Sequence, residues 1–237
     1  MLKNIFKIIV VFVFGMAGGI FADQILWPYF IESPLFYKYR LEQAPINVTE
    51  IKEITITENI ALKEAVEKVK NVVVGIQAET KGKVLGGSGF VVTSDGLMIT
   101  LAELVPSGSD FQFFVDGEQP SFQIIKRDPK NNLALIKLEK SNLQTCGFGS
   151  LDKVKLGERV FLVGVIFEED IPQKMVDEGI VKYFDSNSIH TNISEKSTIA
   201  GSPLFDIEGN LLGVNTIDRQ GETAVIPISK IREFIGF

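Results

Sequence analysis

Hydrophobic and polar positions change character three times along the chain. From Ile8 to Ala22 every residue is apolar or Gly, with Lys3 and Lys7 ahead of the run and no acid. A short basic start before an apolar run marks a cleaved signal peptide or an uncleaved signal-anchor. A full span takes about 20 apolar residues. Ile5 and Phe6 extend the run, and Lys7 can snorkel to the interface. Ile20-Phe21-Ala22 is a poor cleavage site because its first position is not small. Residues 1–22 are therefore expected to be a single-pass transmembrane helix, with a buried core helix as the alternative. Residues 5–22 would contact the lipid bilayer, the lysines would stay in the cytoplasm, and the C-terminal bulk would lie outside it. Residues 23–58 read as a juxtamembrane linker. They carry Pro28, Pro34 and Pro45, and Trp27, Tyr29, Phe30, Phe36 and Tyr37 suit a membrane surface. Val48, Ile51, Ile54 and Ile56 fall in a stretch that reads as extended.

The third regime begins near residue 59. Leu62, Ala65, Val66 and Val69 recur at helical spacing, with Glu64 and Lys68 four apart, which predicts an amphipathic helix over 59–70. After it come short apolar runs separated by turn residues: VVVGI (72–76), GFVVT (89–93), LALIKL (133–138), RVFLVGV (159–165), NLLGVNTI (210–217) and TAVIPI (223–228). Such runs predict an all-β sandwich or barrel. Asp95-Gly96 and Glu208-Gly209-Asn210 are hairpin turn signals. Ser229–Ile235 is expected to close the chain as a short helix. Gly86-Gly87-Ser88-Gly89 is not a phosphate loop, since it opens a strand-like run and no helix follows.

Composition narrows the chemistry. The 237 residues hold one His, one Cys and a formal charge of −6; without Lys3 and Lys7 the remainder carries −8. One Cys excludes an internal disulfide and a multi-cysteine zinc site, and one His excludes a His-rich metal site. No cofactor is expected. The acidic balance argues against nucleic acid, which needs clustered Lys and Arg. Cys146 reads as a small apolar residue, with no base or basic cluster near it in sequence.

Taken in order, GGSGFVVTSDGLMIT (86–100), NNLALIKL (131–138), GSLDKVKLGERVFLVG (149–164), GIV (179–181), IHTN (189–192), AGSPLFDIEGNLLGVNT (200–216) and AVIPISKI (224–231) resemble the HtrA/Deg branch of the trypsin-like serine proteases. The resemblance spans roughly Leu62 to Phe237. It implies two packed six-stranded antiparallel β-barrels with a cleft between them, here over residues 59–237. It also implies an N-terminal anchor of the kind some members carry, and the chain leaves no residues after 237 for the PDZ domain found in many. Members commonly trimerise through their N-terminal part, a role the aromatic 27–39 segment could serve; membrane contact is the alternative.

The resemblance also places the triad. The family His position is held by Glu103, its Asp position by Asn132 and its Ser position by Ala200. Ala offers no nucleophile. A Glu carboxylate is a poor substitute for an imidazole that accepts and returns a proton near neutral pH. The oxyanion region maps to Thr198, Ile199 and Ala200, with Thr198 at a family Gly. A β-branched residue there disfavours positive φ. The expectation is a pseudoprotease that binds extended peptides, or a protease or envelope protein partner. Val214, Asn215, Thr216 and Ile217 would border its peptide groove, a mode that needs edge hydrogen bonds and no triad. The alternatives are a serine endopeptidase with a displaced site, Ser202 with His190, and a purely structural envelope module. The acidic segment 167–170 and residues 171–179 replace a family loop near the cleft.

Overall fold

The computed structural model describes residues 2–31, 60–80, 82–194, 200–217 and 223–236. The extended stretch expected around Val48–Ile56, most of the 27–39 segment, and Thr198 and Ile199 lie outside the described residues. The chain divides into two compact units, residues 1–55 and 56–237.

In the first unit, α1 (Leu2–Phe21) continues into a π-helical segment, Ala22–Ile31. Helix therefore persists beyond Ala22, where the prolines had suggested linker. Pro28 has no N–H to donate to the preceding turn, and a widened helix accommodates that missing bond. Lys3–Trp27 is 25 residues long, and an 18-residue stretch within it has a mean hydropathy of 2.3 and is not buried, enough by length and composition to cross a membrane.

The second unit is almost all β. A helix over residues 60–69, α2, sets Ala65 and Val69 into the core and ends in a single 3-10 turn, Lys70–Val72. Six strands form the first sheet: β1 (Val73–Thr80), β2 (Lys83–Val91), β3 (Leu97–Thr100), β4 (Asp110–Phe114), β5 (Phe122–Asp128) and β6 (Leu133–Leu138). Their order is β4-β1-β2-β3-β6-β5, antiparallel throughout and open between β4 and β5. The sheet curls enough for its two edges to touch through side chains. Phe122 on β5 lies edge-on to Phe113 and Phe111 on β4, with ring centroids 4.6 and 6.3 Å apart. This half-barrel is followed by a closed barrel of β7 (Arg159–Glu168), β8 (Ile171–Phe184), β9 (Ile189–Thr191), β10 (Pro203–Asp206), β11 (Leu211–Ile217) and β12 (Thr223–Pro227), in the order β10-β11-β12-β9-β8-β7. α3 (Ile228–Ile235) closes the chain, burying Ile228, Ile231 and Phe234 at helical spacing and ending at Gly236 in the left-handed region.

Strand β7 joins the two halves. Val160 and Leu162 belong to the interior of the closed barrel, with Leu204, Leu212 and Val225. Phe161, Val163 and Val165 alternate onto the other face and join the core shared with the first sheet. A strand buried on both faces has no polar alternation, which is why RVFLVGV is a continuous apolar run. The segment after it differs from the expected loop. Residues 159–184 form one long hairpin whose turn is only Glu169 and Asp170, at φ 50° and 63°. Two left-handed residues make the tight turn that matches strand twist. Asn-Gly is its usual signature, so Glu-Asp gave no turn signal.

Candidate functional site

The site forms where the first sheet meets the closed barrel, and its central joint is Ser88 on β2. Its hydroxyl accepts the Val165 N–H (2.8 Å) and a longer bond from the Ser202 hydroxyl (3.3 Å). Its carbonyl accepts the Thr100 hydroxyl at 2.7 Å, and its N–H donates to the Ala200 carbonyl at 2.9 Å. Ser88 is fully buried. Its hydroxyl and N–H thus tie the two halves together, while its carbonyl bonds within the first sheet, roles the GGSG motif alone did not reveal.

Glu103 and Asn132 come together. Glu103 sits on a 3-10 turn, Ala102–Leu104, that follows β3. Asn132 precedes β6 at φ 53°, a conformation Asn tolerates better than most residues. The two residues bond reciprocally: the Glu103 backbone N–H donates to Asn132 Oδ1 at 3.1 Å, and Asn132 Nδ2 donates to the Glu103 side chain at Oε1, 2.9 Å away. Asn132 Nδ2 also reaches Thr216 Oγ1 on β11, at 3.2 Å. An amide suits this place because it donates and accepts at once, whereas an ionised carboxylate only accepts.

Ala200 is buried, and its backbone is fixed from both sides. Its carbonyl takes the Ser88 N–H, and the next residue, Gly201, donates its N–H to the Asn215 carbonyl at 2.8 Å. Glu103, Ala200 and Ile217 line one cavity of about 660 Å³, with Val84, Leu85 and Phe167 among its apolar walls. Glu103 also lines a second cavity, of about 760 Å³, with Asn132, Thr216 and Ile217. On β11, Val214 and Asn215 are buried and Thr216 and Ile217 half-buried. Asn215, Thr216 and Ile217 pair with β12, whereas β10 pairs with β11 only from Val214 onward into the barrel. Beyond the Gly201–Asn215 bond, the β10 side of Thr216–Ile217 carries no ladder among the described residues and faces the cleft.

Ser202 and His190 lie apart from each other's chemistry. Ser202 is fully buried, and its hydroxyl points to Ser88. His190, on β9, stacks on Tyr183 (centroids 4.2 Å apart, planes at 13°), and its Nε2 is 3.0 Å from the Ser188 hydroxyl. Glu118, a conceivable carboxylate partner for Glu103, is instead ion-paired with Lys140 at 2.6 Å. Burial pushes the Cys146 thiol up to about 12, in keeping with an apolar role. Among the described residues no His, Cys, Asp and Glu cluster could hold a metal.

A family model for the trypsin-like peptidase domain matches residues 87–214, more than half of the chain. The chain belongs to this family. Its relatives include probable periplasmic serine endoproteases described as DegP-like, from Chlamydia muridarum (30% identical over 152 residues) and Halomonas elongata (26% over 151 residues). Each alignment covers 60% of this chain but only 30–31% of the relative, so the chain matches under a third of their length. Among solved structures, the HtrA-type protease AlgW with a tripeptide superposes with a TM-score of 0.64 at 24% identity, over 74% of this chain and 62% of that one. AlgW with a decapeptide gives 0.62 at 21%, over 74% and 66%. The trypsin-like, HtrA-type double-barrel fold inferred from the ordered motifs is therefore the fold of this chain.

Proposed function

We propose that this HtrA/Deg-type domain is a pseudoprotease, which binds extended polypeptide in the cleft without cleaving it. The observation that carries the reading is the Glu103–Asn132 pair beside Ala200. The family positions for base, orienting acid and nucleophile hold a carboxylate, an amide and a methyl group, and the first two bond to each other. Acyl transfer needs an activated nucleophile within reach of a base. Removing one triad member already costs roughly 10⁴-fold or more. The chain's only His is engaged with Tyr183 and Ser188, and Ser202 is enclosed. What the cleft retains supports binding: a strand edge at Thr216–Ile217 that carries no ladder on one side among the described residues, beside a cavity within the range of about 300–1,000 Å³ typical of ligand sites.

Residues 1–22 serve in this reading as a transmembrane anchor and 23–58 as a juxtamembrane linker, presenting the domain of residues 59–237 outside the cytoplasm. The exposed apolar helix and the periplasmic, DegP-like relatives support that placement. Assembly as a homotrimer, or docking on a protease or envelope protein, extends the proposal by family likeness.

A fluorophosphonate probe tests it. The full chain in detergent should remain unlabelled while binding extended peptides saturably. Labelling abolished by Ser202→Ala or His190→Ala would overturn the reading in favour of an active peptidase. Absence of both labelling and peptide binding would leave a structural module.

A further inference from the structure

The two cavities of the cleft differ in charge. The first combines apolar Val84, Leu85 and Phe167 with three exposed carboxylates, Glu103, Glu169 and Asp170, and no Lys, Arg or His is among its described lining residues. The second is lined by Arg127, Lys130 and Lys230, with Glu103 on the shared wall. Ion pairs form elsewhere on the domain, as in Lys137–Asp95 at 2.8 Å, Lys140–Glu118 and Arg159–Glu178 at 2.9 Å. None of the six cleft charges forms an ion pair among the described residues. Among the described residues the cleft thus separates negative charge on one side of Ile217 from positive charge on the other.

The acidic side does not suit a small hard cation. Asp170 Oδ1 is held by Gln77 Nε2 at 2.8 Å, and the three carboxylates do not converge as a ligand set. Carboxylates spread over an apolar wall fit a long side chain whose stem packs on that wall while its charge reaches the acids, which describes Lys and Arg. The basic side fits a carboxylate by the same reasoning. The strand edge at Thr216–Ile217 lies between them. Parallel and antiparallel additions to an edge make different hydrogen bonds, so one edge favours one chain direction.

We infer that the cleft reads the order of charges along an extended peptide, seating a Lys or Arg side chain in the acidic cavity and an Asp or Glu side chain in the basic one, with the main chain between them on the Thr216–Ile217 edge. This rests on the peptide-binding reading above and names its ligand class.

The test uses the full chain in detergent and five fluorescein-labelled dodecapeptides on one Ser/Thr/Val background: neutral, all-basic, all-acidic, and basic and acidic ends in both orders. Anisotropy at low salt should show one mixed order binding about fivefold to tenfold tighter than the neutral peptide, the sum of several exposed pairs, with the gain fading toward 0.5 M salt. The reversed order should gain little. Glu169→Gln and Lys130→Gln should each weaken the preferred peptide about twofold to threefold. Equal affinity for neutral and mixed peptides, or for the two orders, overturns charge reading while peptide binding stands. No binding by any of the five overturns both.

Discussion

Gly201 gives the account of the cleft its sharpest structural test. It follows Ala200, sits at φ +79°, and donates its N–H to the Asn215 carbonyl. A Cβ built there falls well inside contact distance of the Ser88 carbonyl oxygen, 3.0 Å from the Ser88 carbonyl carbon and 2.9 Å from Leu104 Cδ1. Gly201→Ala therefore incurs two separate costs. Holding an L-residue in the left-handed region costs about 1–2 kcal/mol. Overlap with a fixed carbonyl, itself bonded to Thr100, adds the roughly 1–3 kcal/mol of an overpacked core. Together they predict a loss of about 2–5 kcal/mol, or about 5–20 °C in Tm for a domain of this size. Gly157→Ala separates the costs. Gly157 has φ +79° as well but nothing within 4 Å of its Cβ, so only the backbone cost of about 1–2 kcal/mol should appear. Urea unfolding followed by far-UV circular dichroism, on the full chain in detergent, reads both variants. Similar losses for the two would refute the argument that Ser88 and Gly201 form a rigid joint between the two halves.

Other consequences are open to measurement. With its thiol pushed up to about 12, Cys146 should alkylate about a thousandfold slower with iodoacetamide at pH 8 in the folded chain than in denaturant; comparable rates would contradict its burial. The Asp185 carboxyl is held below its usual range by the backbone N–H groups of Asn187 and Ser188. A depressed folded pKa means its contribution is complete above about pH 4 and lost as pH falls through the folded value, so the deficit of Asp185→Asn in the urea midpoint should shrink between about pH 5 and pH 2. A deficit that grows on acidification would invert that sign. Deleting residues 2–31 should move the protein from the carbonate-resistant membrane fraction to the soluble fraction; retention in the membrane would oppose the anchor.

Different parts of the molecule were legible to different degrees. The strands of the first sheet near GSGF and LALIKL, and β7, β11 and β12, announce themselves as apolar runs because their side chains are buried. Strand β8 is mostly exposed along residues 171–180, with Lys174, Asp177 and Glu178 interrupting any apolar pattern, so its pairing with β7 is visible only in space. Strands β4 and β5 edge an open sheet, and their contact through Phe111, Phe113 and Phe122 exists only once the sheet curls. At the site, the ordered motifs placed Glu103, Asn132 and Ala200 by resemblance. Their geometry, including the reciprocal bonds and the Thr216 contact, needed the fold. The charge asymmetry of the cleft was equally hidden, since Glu103, Glu169 and Asp170 come from two separate segments and Arg127, Lys130 and Lys230 from two more.

The central claim is binding without cleavage, and a single incubation addresses it. The full chain is mixed with a saturating extended peptide, the complex is quantified by anisotropy, and the recovered peptide is weighed by mass spectrometry after prolonged incubation. A pseudoprotease should show saturable binding and a peptide of unchanged mass. Cleavage products that disappear in Ser202→Ala or His190→Ala would contradict it.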